Sequence, residues 1–140
     1  MPIVVDSNII FASLIKKSTT RVILASSDID FIVPEWVHSE LREHIGELAR
    51  KACVSEDEFE HFIEEIFQIV HTVPLDEYKG FLAKALEIMS DIDPDDAPFL
   101  AVALATGADA IWTNDAHFLK QERVKVMSTR DMMMMLDGQD

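Results

Sequence analysis

Cysteine occurs once in the 140 residues, at Cys53, so neither an internal disulfide nor a cysteine-rich zinc site is available. That usage fits a reducing, cytoplasmic setting. No run approaches the roughly 20 apolar residues that a membrane span needs. The opening Met1-Pro2-Ile3-Val4-Val5-Asp6 has neither the basic start nor the apolar length of a signal peptide, and a soluble protein is expected. Positive charge is scarce: 12 Lys+Arg stand against 26 Asp+Glu, a net charge of −14. A protein that coats nucleic acid through a broad basic face is excluded. Only a narrow footprint remains, such as Lys16, Lys17 and Arg21 as phosphate contacts. The five histidines (His38, His44, His61, His71 and His117) show no His-Glu-x-x-His or comparable zinc spacing. Linkers, repeats and low-complexity tracts are missing too, apart from Met132 to Met135, most simply read as core and gap filler. With 49% hydrophobic residues, the chain reads as one globular domain over 1–140.

What is present alternates. Short apolar runs at Ile3–Val5, Phe31–Val33, Val70–Val73, Ala110–Thr113 and Val124–Met127 read as five strands. Between them lie helical patterns: Ile9–Ile15, Arg21–Ser26, Glu35–Arg50 with an apolar stripe of Trp36, Val37, Leu41, Ile45 and Leu48, then Ser55–Ile69 and Asp76–Met89; a last helix, capped by Ser128 or Thr129, follows the fifth strand and runs through Met132–Leu136. Ser55 with Glu58 has the spacing of a capping box. Strands alternating with helices predict an α/β fold, a five-stranded parallel sheet with helices on both faces. In such a sheet, ligands gather outside the carboxyl ends of the strands.

The densest chemistry is Asp91-Ile92-Asp93-Pro94-Asp95-Asp96-Ala97-Pro98, which runs into the wholly apolar Phe99–Ala105. Asp95 reads as the N-cap of a buried helix, Pro98 fits its first turn, and Gly107 ends it. One or two acids satisfy a helix start; four crowded together repel unless a cation sits among them. Asp6 directly follows the first strand, Asp115 follows the fourth, and Glu40 lies one turn into the helix after the second. Four regions thus deliver carboxylates to one edge. The plainer readings are an N-cap for Asp6 and a solvated helix residue for Glu40.

The order Val5-Asp6-Ser7-Asn8, Ser39-Glu40-Leu41, Asp95-Asp96-Ala97-Pro98-Phe99-Leu100-Ala101-Val102-Ala103 and Thr113-Asn114-Asp115-Ala116-His117-Phe118 resembles a PIN domain, of the kind found in toxin ribonucleases, over essentially the whole chain. The resemblance implies a ribonuclease dependent on Mg²⁺ or Mn²⁺. Its acids fall on Asp6, Glu40, Asp96 and Asp115, with Asn8, Thr113 and Asn114 as supporting polar groups. It also implies an antitoxin with a basic tail crossing the cleft, and homodimers in which the helices from Glu35 to Ile69 pair. Many members carry a further acid two residues after the last aspartate, where this chain has His117; Asp93 is the candidate replacement ligand.

Two other accounts stand beside the toxin. One is a freestanding PIN nuclease in RNA maturation or decay. The other is a receiver-type phosphoryl-transfer domain, which also places an aspartate after its first strand. Against the latter, Asp6 belongs to no Asp-x-Asp pair, and no lysine follows a late strand where a phosphate would need one. Trp112 reads as core and Cys53 as inert.

Overall fold

Ile3, Val4 and Val5 expose no surface at all, and the strand that holds them, β1 (Pro2–Val5), lies at the centre of the sheet. In the computed structural model, which describes residues 1–15, 19–26 and 28–138, five strands run in the order β3-β2-β1-β4-β5. The others are β2 (Asp30–Pro34), β3 (His71–Val73), β4 (Ala110–Trp112) and β5 (Val126–Met127), and every pairing is parallel. A strand buried on both faces has no polar side to alternate with, which is why these runs are continuously apolar.

The chain builds outward from β1 to β3 and then returns to β4 on the other side of β1. That reversal opens a crevice at the carboxyl ends of β1 and β4. The register pairs Val5 with Trp112, and the Asp6 amide donates to the Trp112 carbonyl at 3.0 Å. Asp6 and Thr113 therefore leave the sheet side by side.

Eight α-helices are described: α1 (Ser7–Ile15), α2 (Thr19–Leu24), α3 (Trp36–Lys51), α4 (Glu56–Ile69), α5 (Leu75–Tyr78), α6 (Leu82–Met89), α7 (Ala97–Thr106) and α8 (Thr129–Asp137). The most buried is α7, which lies on β1, β2 and β4 while α5 and α6 pack against it. Phe99, Leu100, Ala101 and Val102 are wholly inside, and each large side chain of this kind contributes about 1.5–3 kcal/mol by leaving water. Gly107 closes α7 at φ 64°, where a residue with a Cβ is strained, and its amide bonds to the Ala103 carbonyl. Trp112 is fully buried against Phe31, with ring centroids 5.7 Å apart.

Several expected details differ. The N-cap of the acidic stretch is Asp93 rather than Asp95: its Oδ1 accepts the Asp95 amide at 3.1 Å and starts a 3-10 turn, Pro94–Asp96, that leads into α7. The expected helix 76–89 is divided by a 3-10 turn at Lys79–Phe81 around Gly80. The fifth strand starts at Val126, because the Gln121 side chain takes both the amide and the carbonyl of Val124. Val70 still donates to Ile66 as the last amide of α4, so β3 starts one residue later. Ser55 caps α4 through the Glu58 amide without the reciprocal bond, whereas Ser128 and Asp131 form the complete capping box at α8. Met132 is core, but Met134 is exposed.

Candidate active site

Asp6 is 2% exposed at the end of β1, a position that strips a carboxylate of water. Burial raises its pKa; the Thr113 hydroxyl and the amides of Asn8 and Ser7 oppose that rise, and Asp115 adds to it. Thr113 Oγ1 donates to Asp6 Oδ2 at 2.7 Å and accepts the Asp115 amide at 2.9 Å. One hydroxyl thus sets the orientation of two acid-bearing segments.

Asp96 stands at the N-cap position of α7, but its carboxylate makes no capping bond. Its Oδ2 is buried with no hydrogen-bond partner. Burial first, then the charges of Asp6, Asp93, Asp115 and Asp95, push the Asp96 pKa up to about 7. Glu40 on α3 is in the same condition, with Oε1 buried and unpartnered. Its pKa is also raised to about 7, by burial above all; the Ser7 hydroxyl opposes this, Asp6 and Asp95 reinforce it, and His44 works against it. A solvated helix residue would show none of this. Ser7, itself buried, is a polar neighbour that the sequence reading passed over, although it sits directly after Asp6.

Asp115 is half-buried at the mouth. Its Oδ1 accepts the His117 amide at 2.9 Å, and His117 Nδ1 lies 3.4 Å from the same oxygen. An open cleft of about 350 Å³ is lined by Asp6, Asn8, Ala12, Thr20, Asn114 and Asp115. Asn8 thus borders the acids. Asn114 reaches the other way: its Nδ2 donates to Thr129 Oγ1 at 3.0 Å and its Oδ1 accepts the Thr129 amide at 2.9 Å, tying the site loop to α8. Of the expected RNA contacts, Lys16 and Lys17 lie outside the described residues. Arg21 donates to the Ser13 and Leu14 carbonyls at the end of α1 and lies over the Phe62 ring.

The sequence profile of the PIN domain matches residues 4–137. The chain belongs to the PIN domain family. Three solved structures share the fold at low identity. VapBC2 from Rickettsia felis, bound to a promoter DNA fragment, aligns with a TM-score of 0.72 and 12% identity over 91% of this chain and 98% of that one. FitAcB from Neisseria gonorrhoeae gives 0.68 and 18% over 91% and 98%. VapBC-1 from nontypeable Haemophilus influenzae gives 0.67 and 15% over 93% and 99%. Comparison with curated proteins returns no match.

The PIN family implies a divalent cation, and the donors present suit one. Carboxylate oxygens are hard ligands, and two of them here are buried without a partner. Among the described residues no three His, Cys, Asp or Glu side chains are already grouped so as to hold an ion. No described helix is long and apolar enough to cross a membrane.

Proposed function

We propose that this PIN domain is an endoribonuclease dependent on Mg²⁺ or Mn²⁺, acting on single-stranded RNA as the toxin of a toxin–antitoxin pair. The observation that carries the nuclease reading is the pair of buried, unpartnered oxygens, Asp96 Oδ2 and Glu40 Oε1, beside the buried Asp6. Groups so placed are costly to the fold, and clusters of such perturbed acids mark sites of chemistry.

Asp6, Asp96 and Asp115 are the residues that would hold the cation, with Asp93 able to complete the set. When bound, a divalent ion supplies polarisation of the phosphoryl oxygen, a more acidic water and charge for the leaving oxygen. Glu40 would either bind a second ion or orient the attacking water. Thr113 fixes the Asp6 rotamer. No serine or cysteine nucleophile is called for. The sheet order, with β1 and β4 adjacent at the reversal, differs from the 2-1-3-4-5 order of receiver-like domains and disfavours that account.

The toxin assignment rests on the resemblance and on the paired names, VapBC and FitAcB, of the similar structures. A homodimer through α3 and α4 belongs to the same proposal, and sedimentation measures it. The nuclease is tested by incubating RNA with Mg²⁺ or Mn²⁺ and either wild type or Asp96→Asn. Metal-dependent cleavage, reduced at least about 100-fold in the variant, is expected. Equal cleavage by both would place the chemistry elsewhere.

A further inference from the structure

We propose that Thr20 is the residue by which the acid cleft tells RNA from DNA, its hydroxyl bonding the ribose 2′-hydroxyl of a nucleotide that flanks the cleaved bond. The proposal rests on the nuclease reading and adds how its substrate is chosen.

The chemistry leaves a gap that some residue has to fill. When a cation supplies the attacking water, the 2′-hydroxyl is not the nucleophile, and the reaction itself accepts either sugar. A preference for RNA then has to come from a contact with that hydroxyl.

Burial singles out Thr20. The buried polar side chains are Asp6, Ser7, Ser13, Thr20, Thr113 and Gln121. Thr113 serves Asp6, Ser7 serves Glu40, Ser13 bonds the Ile10 carbonyl, and Gln121 holds the carbonyls of Phe118 and Val124. Among the described residues the Thr20 hydroxyl has no such partner, although Thr20 is only 8% exposed and lines the cleft that holds Asp6 and Asp115. A buried hydroxyl without a partner is a standing cost that a ligand hydroxyl removes. Its position is fixed by packing. Arg21 bonds the Ser13 and Leu14 carbonyls, and Ile23 and Leu24 are buried, which holds α2 against the end of α1.

Charge and size select a sugar over a phosphate. Among the described residues the charged groups lining this cleft are Asp6 and Asp115, with no cation. Carboxylates repel a phosphate but accept a bond from a hydroxyl, and a ribose hydroxyl both donates and accepts. Asn114 is committed to Thr129, so Thr20 and Asn8 are the neutral polar groups left to face a ligand. Ala12 keeps the α1 wall low, and the volume of about 350 Å³ is at the lower end of small-molecule sites, room for one nucleoside.

The test follows cleavage, with Mg²⁺ or Mn²⁺, of a single-stranded RNA carrying one 2′-deoxy substitution at each position flanking the cleaved bond in turn. Wild type should lose about fivefold in kcat/KM at one such position, the size of one net hydrogen bond. Thr20→Val keeps the shape without the hydroxyl. It should lose about fivefold on the all-ribose strand and nothing further at that position, while Thr20→Ser behaves as wild type. The metal-induced rise in melting temperature should be equal in Thr20→Val and wild type, since Thr20 holds no ion. A deoxy penalty undiminished in Thr20→Val overturns the proposal, and so does a melting shift lost in that variant. Wild type indifferent to every deoxy position also overturns it, whether or not the variant folds. In each of these cases cleavage of RNA by wild type leaves the nuclease reading standing; a wild type that cleaves no RNA removes both.

Discussion

Thr113 donates its hydroxyl to Asp6 across 107 positions of sequence, at 2.7 Å, and the same oxygen accepts the Asp115 amide. The contact joins the ends of β1 and β4 where the sheet order reverses. Thr113→Val keeps the shape and removes the hydroxyl, leaving a buried carboxylate and an amide without their partner. A stability loss of about 1–3 kcal/mol in urea unfolding is expected. Cleavage should fall about 10–100-fold, as when the support of a ligand is lost. Thr113→Ser should restore most of both. Wild-type cleavage by the valine variant would show that Asp6 needs no such orientation.

The raised acids give the metal-free protein a distinctive pH dependence. Asp96 and Glu40 have folded pKa values of about 7 against ordinary values of 3.8 and 4.5. Between those limits the native state keeps protons that the unfolded state has released, so stability declines as pH rises. Above about pH 7 both states are ionised and the decline stops. In EDTA, the protein should therefore melt higher at pH 5 than at pH 8. Asp96→Asn should flatten the profile and raise the melting temperature at pH 8, because one of several repelling charges is gone. A variant melting below wild type at pH 8 would mean that Asp96 stabilises the fold.

Metal linkage runs the opposite way. Ions that bind the folded acids and hardly bind the unfolded chain raise the melting temperature as their concentration rises. Mg²⁺ or Mn²⁺ should do so at pH 8 and less at pH 5, where protons occupy Asp96 and Glu40. Asp6→Asn, Asp96→Asn and Asp115→Asn should each remove most of the shift, and Glu40→Gln less of it. Shifts of equal size in wild type and Asp96→Asn would put the ion at other residues.

The legible parts of this fold were those decided locally. Continuous apolar runs announce buried parallel strands, and an acid directly after such a run, as at Asp6, emerges at the carboxyl edge. Glu40 was placed by helix geometry and by the family resemblance together. The capping role of Asp93 was legible and missed: the residue before Pro94 is pushed to extended backbone, which suits an N-cap, with proline at the first turn position. Spacing could not show that Asn114 turns toward Thr129 instead of the acids, or that Arg21 is held by the end of α1 and by Phe62. Those contacts form between elements whose mutual placement is tertiary. Cys53 at φ 60° is a similar case, a left-handed turn between α3 and α4 where glycine would be the ordinary choice.

A partner of the toxin reading should be recognisable by charge. Asp96 feels the charges of Asp6, Asp93, Asp115 and Asp95 on a chain of net charge −14. A guanidinium fits such a site bidentately and relieves the same repulsion that a cation does. An antitoxin with a basic tail would then compete with RNA and metal together, without any conformational change. Its association rate should fall as salt rises, since long-range attraction is screened first. Co-expression with a small neighbouring-frame protein, comparing its tail arginine with an alanine variant, measures this: the complex should form in both cases, with inhibition and the metal-induced melting shift changed only by the arginine. Inhibition equally tight without the arginine would remove the plug mechanism. Absence of any such neighbour, with RNA cleavage intact, would favour a freestanding RNA-processing nuclease using the same acids.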